Sequence, residues 1–183
     1  MCKMQFYQMK FCQKQRGVVL VAGLIFLVIL TIIGITAMGT TALTERMAQN
    51  LRDSSIAFEA AEAALGDGEI WVKNQAAATT VTTTTCSASP CAVWQYGALG
   101  TTFYNQPSSW WQANAVAFSS TIPGVYQQPR YVIEQYGFVP YDLSPDSLSK
   151  GRGYYYYRVT AWGTGPTGTA NSVVQSMFAT QFN

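Results

Sequence analysis

Histidine is absent from the 183 residues, and charge is scarce: eleven Lys or Arg against nine Asp or Glu. Without histidine the chain lacks the commonest general base and a common zinc ligand. A Ser-His-Asp triad is excluded outright. Cysteine is limited to four residues, two of them, Cys2 and Cys12, in the first twelve positions. No proline occurs before Pro90, and no charge occurs between Gly17 and Thr44. The first absence permits a long uninterrupted helix. The second permits burial of that helix in lipid.

The uncharged stretch is GVVLVAGLIFLVILTIIGITA, from Gly17 to Ala37. Fourteen of the twenty residues Val18–Ala37 are Val, Leu, Ile or Phe. At roughly 0.3–0.6 kcal/mol each, they favour membrane insertion by about 4–8 kcal/mol. Twenty helical residues span about 30 Å, one hydrocarbon thickness. Ahead of them, residues 1–17 carry Lys3, Lys10, Lys14 and Arg16 and no acid, so the head is +4 and the remainder −2. The positive-inside rule keeps this head in the cytoplasm and exports the rest. No basic patch recommends nucleic acid. Ala37-Met38-Gly39 is a poor A-x-A cleavage signal, and the apolar run is too long for a secretory h-region. The small residue Gly17, between the basic head and the run, is the candidate cleavage point, leaving Val18 as the new N-terminus.

Helical pattern continues beyond the run. Leu51, Phe58, Leu65 and Val72 recur every seven residues, with Met47 and Ala61 on the same side. Glu45, Arg46, Arg52, Asp53, Glu59 and Glu62 fall on the other faces. Alanines at 60, 61, 63 and 64 favour helix, whereas Gly66 and Gly68 each weaken it by ~1 kcal/mol. The helix is expected to end near Lys73. Gly34, Gly39 and threonines 31, 36, 40 and 41 fit two readings: ordinary tolerance of small residues in membrane helices, or close helix packing and local unwinding near water.

Residues 74–125 read as loop-like and low in charge, with a Thr tract over 79–85 and scattered aromatics. Strands are predicted over Tyr131–Tyr136, Tyr154–Trp162 and Ser172–Phe182, the last two joined by the turn-rich segment Gly163–Asn171. Tyr155, Tyr157, Val159 and Ala161 share one face, and the stripe on the helix is the expected cover for it. The Tyr154–Tyr157 run reads as core plus strand propensity. Cys86 and Cys91 enclose Ser-Ala-Ser-Pro and read as a local disulfide in an exported domain, worth about 2 kcal/mol by chain entropy. A metal site there lacks histidine and a second cysteine pair. Glu134, Asp142 and Asp146 are the only acids beyond the helix, and the Asp142–Asp146 segment reads as a turn rather than a calcium loop. No catalytic residue, cofactor site or metal site is indicated.

Lys14-Gln-Arg16-Gly17 followed by Val18-Val-Leu-Val-Ala22 resembles the type III signal of type IV pilins. The segment TTALTERMAQNLRDSSIAFEAAEAAL, residues 40–65, resembles the N-terminal region of PilX-type minor pilins. YYYYRVTAWGTGPTGTANSVVQSMF is similar to the last hairpin of that family. The resemblance implies cleavage by a prepilin peptidase after Gly17 and N-methylation of Val18. Residues 1–17 would then be a basic leader, 18–73 the pilin helix with 18–37 transmembrane, and 74–183 a periplasmic or extracellular β-rich domain. The expected fold is α+β, the long helix packed on a small antiparallel sheet. The implied partners are other minor pilins and the major pilin through the helix, a large tip adhesin, the peptidase and the inner membrane. The implied role is initiation of pilus assembly in a tip complex that supports adhesion and twitching motility. The implied location is the bacterial inner membrane, then the pilus tip at the cell surface. Counting from Val18, the fifth residue is Ala22, where major pilins carry Glu. The competing reading is an uncleaved single-pass inner-membrane protein with a periplasmic ligand-binding domain.

Overall fold

The computed structural model describes residues 17–81 and 93–182. The element order is α1 (Val18–Lys73), β1 (Trp94–Gln95), a 3-10 turn (Phe103–Asn105), α2 (Ser108–Asn114), β2 (Val116–Ala117), β3 (Arg130–Pro140), α3 (Pro145–Ser149), β4 (Gly153–Thr164) and β5 (Asn171–Thr180). The chain divides into two units after Met47. In the first, α1 leaves its apolar side chains exposed from Val18 to Leu43. The second, from Ala48 onward, holds the sheet and the packed part of α1.

The sheet order is β1-β3-β4-β5, with β2 also pairing β3. β3, β4 and β5 form an antiparallel meander. β2 is antiparallel to β3, whereas the two-residue β1 runs parallel to it. The sheet is therefore mixed, and the α+β arrangement holds. β4 and β5 extend further toward their connection than alternation suggests, because the ladder continues to Thr164 and Asn171 before the turn begins.

One face of the sheet packs on α1. Ala64, Val72, Tyr131, Ile133, Tyr157, Val159 and Ala161 form its core with Val93, and Leu65 and Trp71 pack at its margin. The side of α1 in contact matches the expected stripe only in part: Ala61 and Val72 are buried and Leu65 packs against the core. Ala57, Ala60, Ala61, Ala64, Gly68 and Val72 are buried, whereas Leu51 is 72% and Phe58 44% exposed. The expected stripe holds at Ala61, Leu65 and Val72 and is corrected at Met47, Leu51 and Phe58; the buried side is built mostly of small residues, which lets two backbones approach. A Cβ added at Gly163 of β4 would lie 2.5 Å from the Ala61 nitrogen and 2.6 Å from the Ala57 carbonyl oxygen. One added at Gly68 would lie 2.7 Å from Val159 Cγ1. Gly68 thus costs helix propensity and supplies space, while Gly66 has open space around it.

The opposite face is covered by residues 94–115. Trp94, Phe103, Trp111, Ala115, Val132 and Trp162 make a second core. Trp111 lies flat over Trp162, with centroids 6.0 Å apart and planes 11° from parallel. The expectation of a loop-like 74–125 is corrected over this part: α2 and the 3-10 turn order it, because both sheet faces carry apolar side chains and both need cover. Ser144 caps the short α3 by accepting from the Ser147 amide, within the turn expected around Asp142.

Opposite signs are expected at two glycines. Gly163→Ala should destabilise the fold by about 1–3 kcal/mol through overpacking against backbone. Gly66→Ala should stabilise it by up to about 1 kcal/mol. Urea unfolding of the detergent-solubilised protein, followed by tryptophan fluorescence, checks both.

Candidate functional site

The first unit offers an uninterrupted apolar helix surface. Gly17 forms a turn immediately before α1, Val18 is the first helical residue, and the Val21 amide bonds to the Gly17 carbonyl at 3.3 Å. The helix is long and apolar enough to cross a membrane, and none of its most apolar eighteen residues is buried. The hydroxyls of Thr31, Thr36, Thr40, Thr41 and Thr44 donate to carbonyls three or four residues earlier on the same helix. Their polar atoms are satisfied locally, as an apolar environment demands. A Cβ at Gly23, Gly34 or Gly39 would meet nothing within 4 Å. Ala22 lies in this stretch, and no acid occurs until Glu45.

In the second unit three carboxylates on α1 hold the helix to the sheet domain. Asp53 is 7% exposed. It accepts the Thr167 amide at 3.1 Å and the Thr167 hydroxyl at 2.5 Å, with the Thr169 hydroxyl at 3.4 Å. Gly165 lies directly against it, where a side chain would collide with the carboxylate. Asp67 accepts the amide and hydroxyl of Ser119, and Glu69 accepts the Ser176 hydroxyl. The hydroxyl and amide of Thr167 are the main reason the Asp53 carboxyl is held below its ordinary pKa of 3.8, against the opposing effect of burial.

A second polar feature lies on the other face of the sheet. Glu134 on β3 is fully buried and sits opposite Arg158 on β4. Arg158 donates Nε–H and Nη2–H to Glu134 Oε2 at 2.9 and 2.5 Å. The Gly97 amide donates to the other carboxylate oxygen at 3.3 Å. The guanidinium carbon lies 4.9 Å from the Tyr96 ring centroid and 5.9 Å from that of Phe103. The pair ties β3, β4 and the 93–105 segment together. Arg158 also lines a small cleft with Tyr96, Phe103, Tyr104 and Gln175, and among the described residues no three His, Cys, Asp or Glu side chains gather as a metal site would need. An open cleft of roughly 530 Å³ lies between α1 residues Arg52, Ile56 and Glu59 and the Ile122–Gly124 loop.

Two family models match this chain. One, described as PilX N-terminal, covers residues 16–65. The other, described as type IV pilus assembly protein PilX C-term, covers residues 61–180, more than half the chain. The chain belongs to the PilX family. It is a type IV pilus minor pilin, a structural component of the pilus rather than an enzyme, and it works in contact with other pilus components. No curated protein and no solved structure matches it.

For this PilX-type pilin the candidate processing residues Gly17 and Val18 stand at the junction of turn and helix. Cys86, Cys91 and residues 1–16 lie outside the described residues. Asp53, which the heptad pattern places on a face other than the apolar stripe, is buried. Its signal in the sequence is spacing: Asp53, Ala57, Ala60, Ala61, Ala64 and Gly68 recur at three and four residues as a stripe of small or polar side chains. Glu134 and Arg158 each interrupt an apolar strand, which marks both as candidates for a cross-strand pair.

Because folding lowers the Asp53 pKa, its carboxylate contributes stability above the ordinary value of 3.8. That contribution is lost as pH falls from there through the lower folded value. Asp53→Asn should therefore melt at a lower temperature than wild type at pH 7. It should also show a shallower loss of melting temperature below about pH 4. Melting curves of both proteins from pH 7 to pH 2 test this.

Proposed function

We propose that this minor pilin is a low-copy subunit that initiates pilus assembly and stays at or near the tip. The single observation behind this reading is Ala22. With cleavage after Gly17, Ala22 is the fifth residue of the mature chain, and the helix carries no acid before Glu45. A carboxylate at that depth would attract the N-terminal amine of a neighbouring subunit. Two unit charges ~4 Å apart attract by about 4 kcal/mol at an effective dielectric of 20. A chain with Ala there forgoes attraction toward a subunit already above it. Its own amine at Val18 remains available to an acid-bearing subunit that enters next. Such a chain suits the first place in a filament and suits repetition along the shaft poorly.

The same reading divides the chain into a basic leader (1–17), a pilin helix (18–73, membrane-embedded over 18–37) and an exported domain (74–183). A prepilin peptidase would cut after Gly17, and Val18 would be N-methylated. The protein would wait in the inner membrane, then join other minor pilins, the major pilin and a large tip adhesin. In that complex it would support adhesion and twitching motility at the cell surface. The oxidising exterior supports a Cys86–Cys91 disulfide.

Intact-mass spectrometry of the mature protein is expected to give a chain beginning at methylated Val18, lighter by the two hydrogens that a disulfide removes. Replacing Gly17 with a bulky residue should leave the leader attached.

Deleting the protein should sharply reduce the number of pili per cell, counted by electron microscopy. Gold label against an epitope tag should mark filament ends. Even decoration of the shaft, or an unchanged pilus number, would refute the initiating role.

A further inference from the structure

β5 is the edge of the sheet and pairs only with β4. Its ten residues, NSVVQSMFAT, contain no charge, no proline and no glycine. Its register with β4 is continuous from Asn171 to Thr180, without a bulge. Among the described residues no backbone hydrogen bond reaches its outer edge. The opposite edge differs: β1 and β2 both lie along β3 and cover much of it. Sheet edges are ordinarily blunted by charge, proline, a bulge or short length. β5 has none of these devices. It presents about 34 Å of alternating N–H and C=O groups. The complement of such a row is another extended backbone.

The position of α1 decides between a second copy and a different chain. Asp53 lies at Gly165, Ala57 and Ala61 at Gly163, and Gly68 at Val159. Within the second unit α1 therefore runs antiparallel to β4 and parallel to β5. Symmetric pairing of β5 with its own copy is antiparallel and would reverse one α1 against the other. Two chains entering the domain at Ala48 from the same membrane must run the same way. A copy of this chain is thus a poor occupant.

We propose that β5 receives an extended strand from a different exported polypeptide of the pilus. This rests on the reading of the chain as an N-terminally anchored pilus subunit. The incoming strand would be uncharged where it borders Gln175, Met177 and Ala179, which are exposed on the outer face beside Arg158. Its backbone supplies the binding, and alternate side chains supply the selectivity.

The test is photo-cross-linking of the full chain in piliated cells. p-Benzoylphenylalanine replaces Met177 or Ala179, with exposed Glu62 of α1 as the control position, and adducts are mapped by mass spectrometry. The expected result is adduct formation from both β5 positions onto one segment of another polypeptide, at sites two residues apart. With the probe at Ala179, Met177→Lys should abolish that adduct while the melting temperature stays at the wild-type value. Adducts onto residues 82–92 of the same chain, onto a second copy, or no adduct above the Glu62 control would overturn the proposal. So would an adduct that survives Met177→Lys. Pilus number in the deletion strain is a separate readout. A normal number with mapped adducts removes the initiating role and keeps this inference, and a reduced number without adducts does the reverse.

Discussion

The packed domain depends on how closely α1 approaches β4. Ala57, Ala60, Ala61 and Ala64 on the helix and Gly163 on the strand bring two backbones together, and the space between them leaves no room for another Cβ. At that separation many weak dispersion contacts form at once, each worth only about 0.1–0.2 kcal/mol. The same closeness places Asp53 against the β4–β5 turn, where Thr167 and Thr169 donate to it. It places Asp67 and Glu69 within reach of Ser119 and Ser176. Larger residues at the alanine positions would push the helix away and leave all three carboxylates without these partners. Small residues therefore do here what large apolar residues do in most helix–sheet contacts.

The sheet transmits this constraint to its other face. β3 and β4 are central, so each presents one row of side chains to α1 and the alternate row to the 94–115 segment. Val132 and Trp162 supply apolar contact to that segment, and the buried Glu134–Arg158 pair supplies direction. An ion pair in such a place adds little net stability over an apolar alternative, because two charges must leave water. Its geometry is more selective than its energy. The Gly97 amide, Tyr96 and Phe103 can meet the pair only when the segment crosses the strands in one register.

One continuous helix thus carries two kinds of surface. Beyond Ala48 its small stripe is consumed by the chain's own sheet. Before Met47 its apolar side chains find no partner among the described residues, and its threonines close their hydrogen bonds on the helix itself. Such a surface requires lipid or other helices. A pilus subunit requires both in turn, membrane before assembly and neighbouring subunits afterward. The membership of this chain in the PilX family joins that physical need to a known assembly.

Residue pattern alone was sufficient for the helix over Val18–Lys73, for the three long strands and for the family. Each of these rests on local information: uncharged length, period-two alternation, turn residues, and a run of motif residues around Glu45–Ala64. The face that α1 buries was legible only in part, at Ala61, Leu65 and Val72. Leu51 and Phe58 carry the stronger hydrophobic signal and stay exposed, because burial there is governed by the distance between backbones rather than by side-chain size. The cover on the second face was not legible, since residues 94–115 have weak local pattern and take their order from Trp162 and Val132 beneath them. Asp53 meets Thr167 across 114 residues, and Glu134 meets Arg158 across 24. Such partnerships exist only once the strands are in register and the helix is seated, so only the tertiary structure decides them.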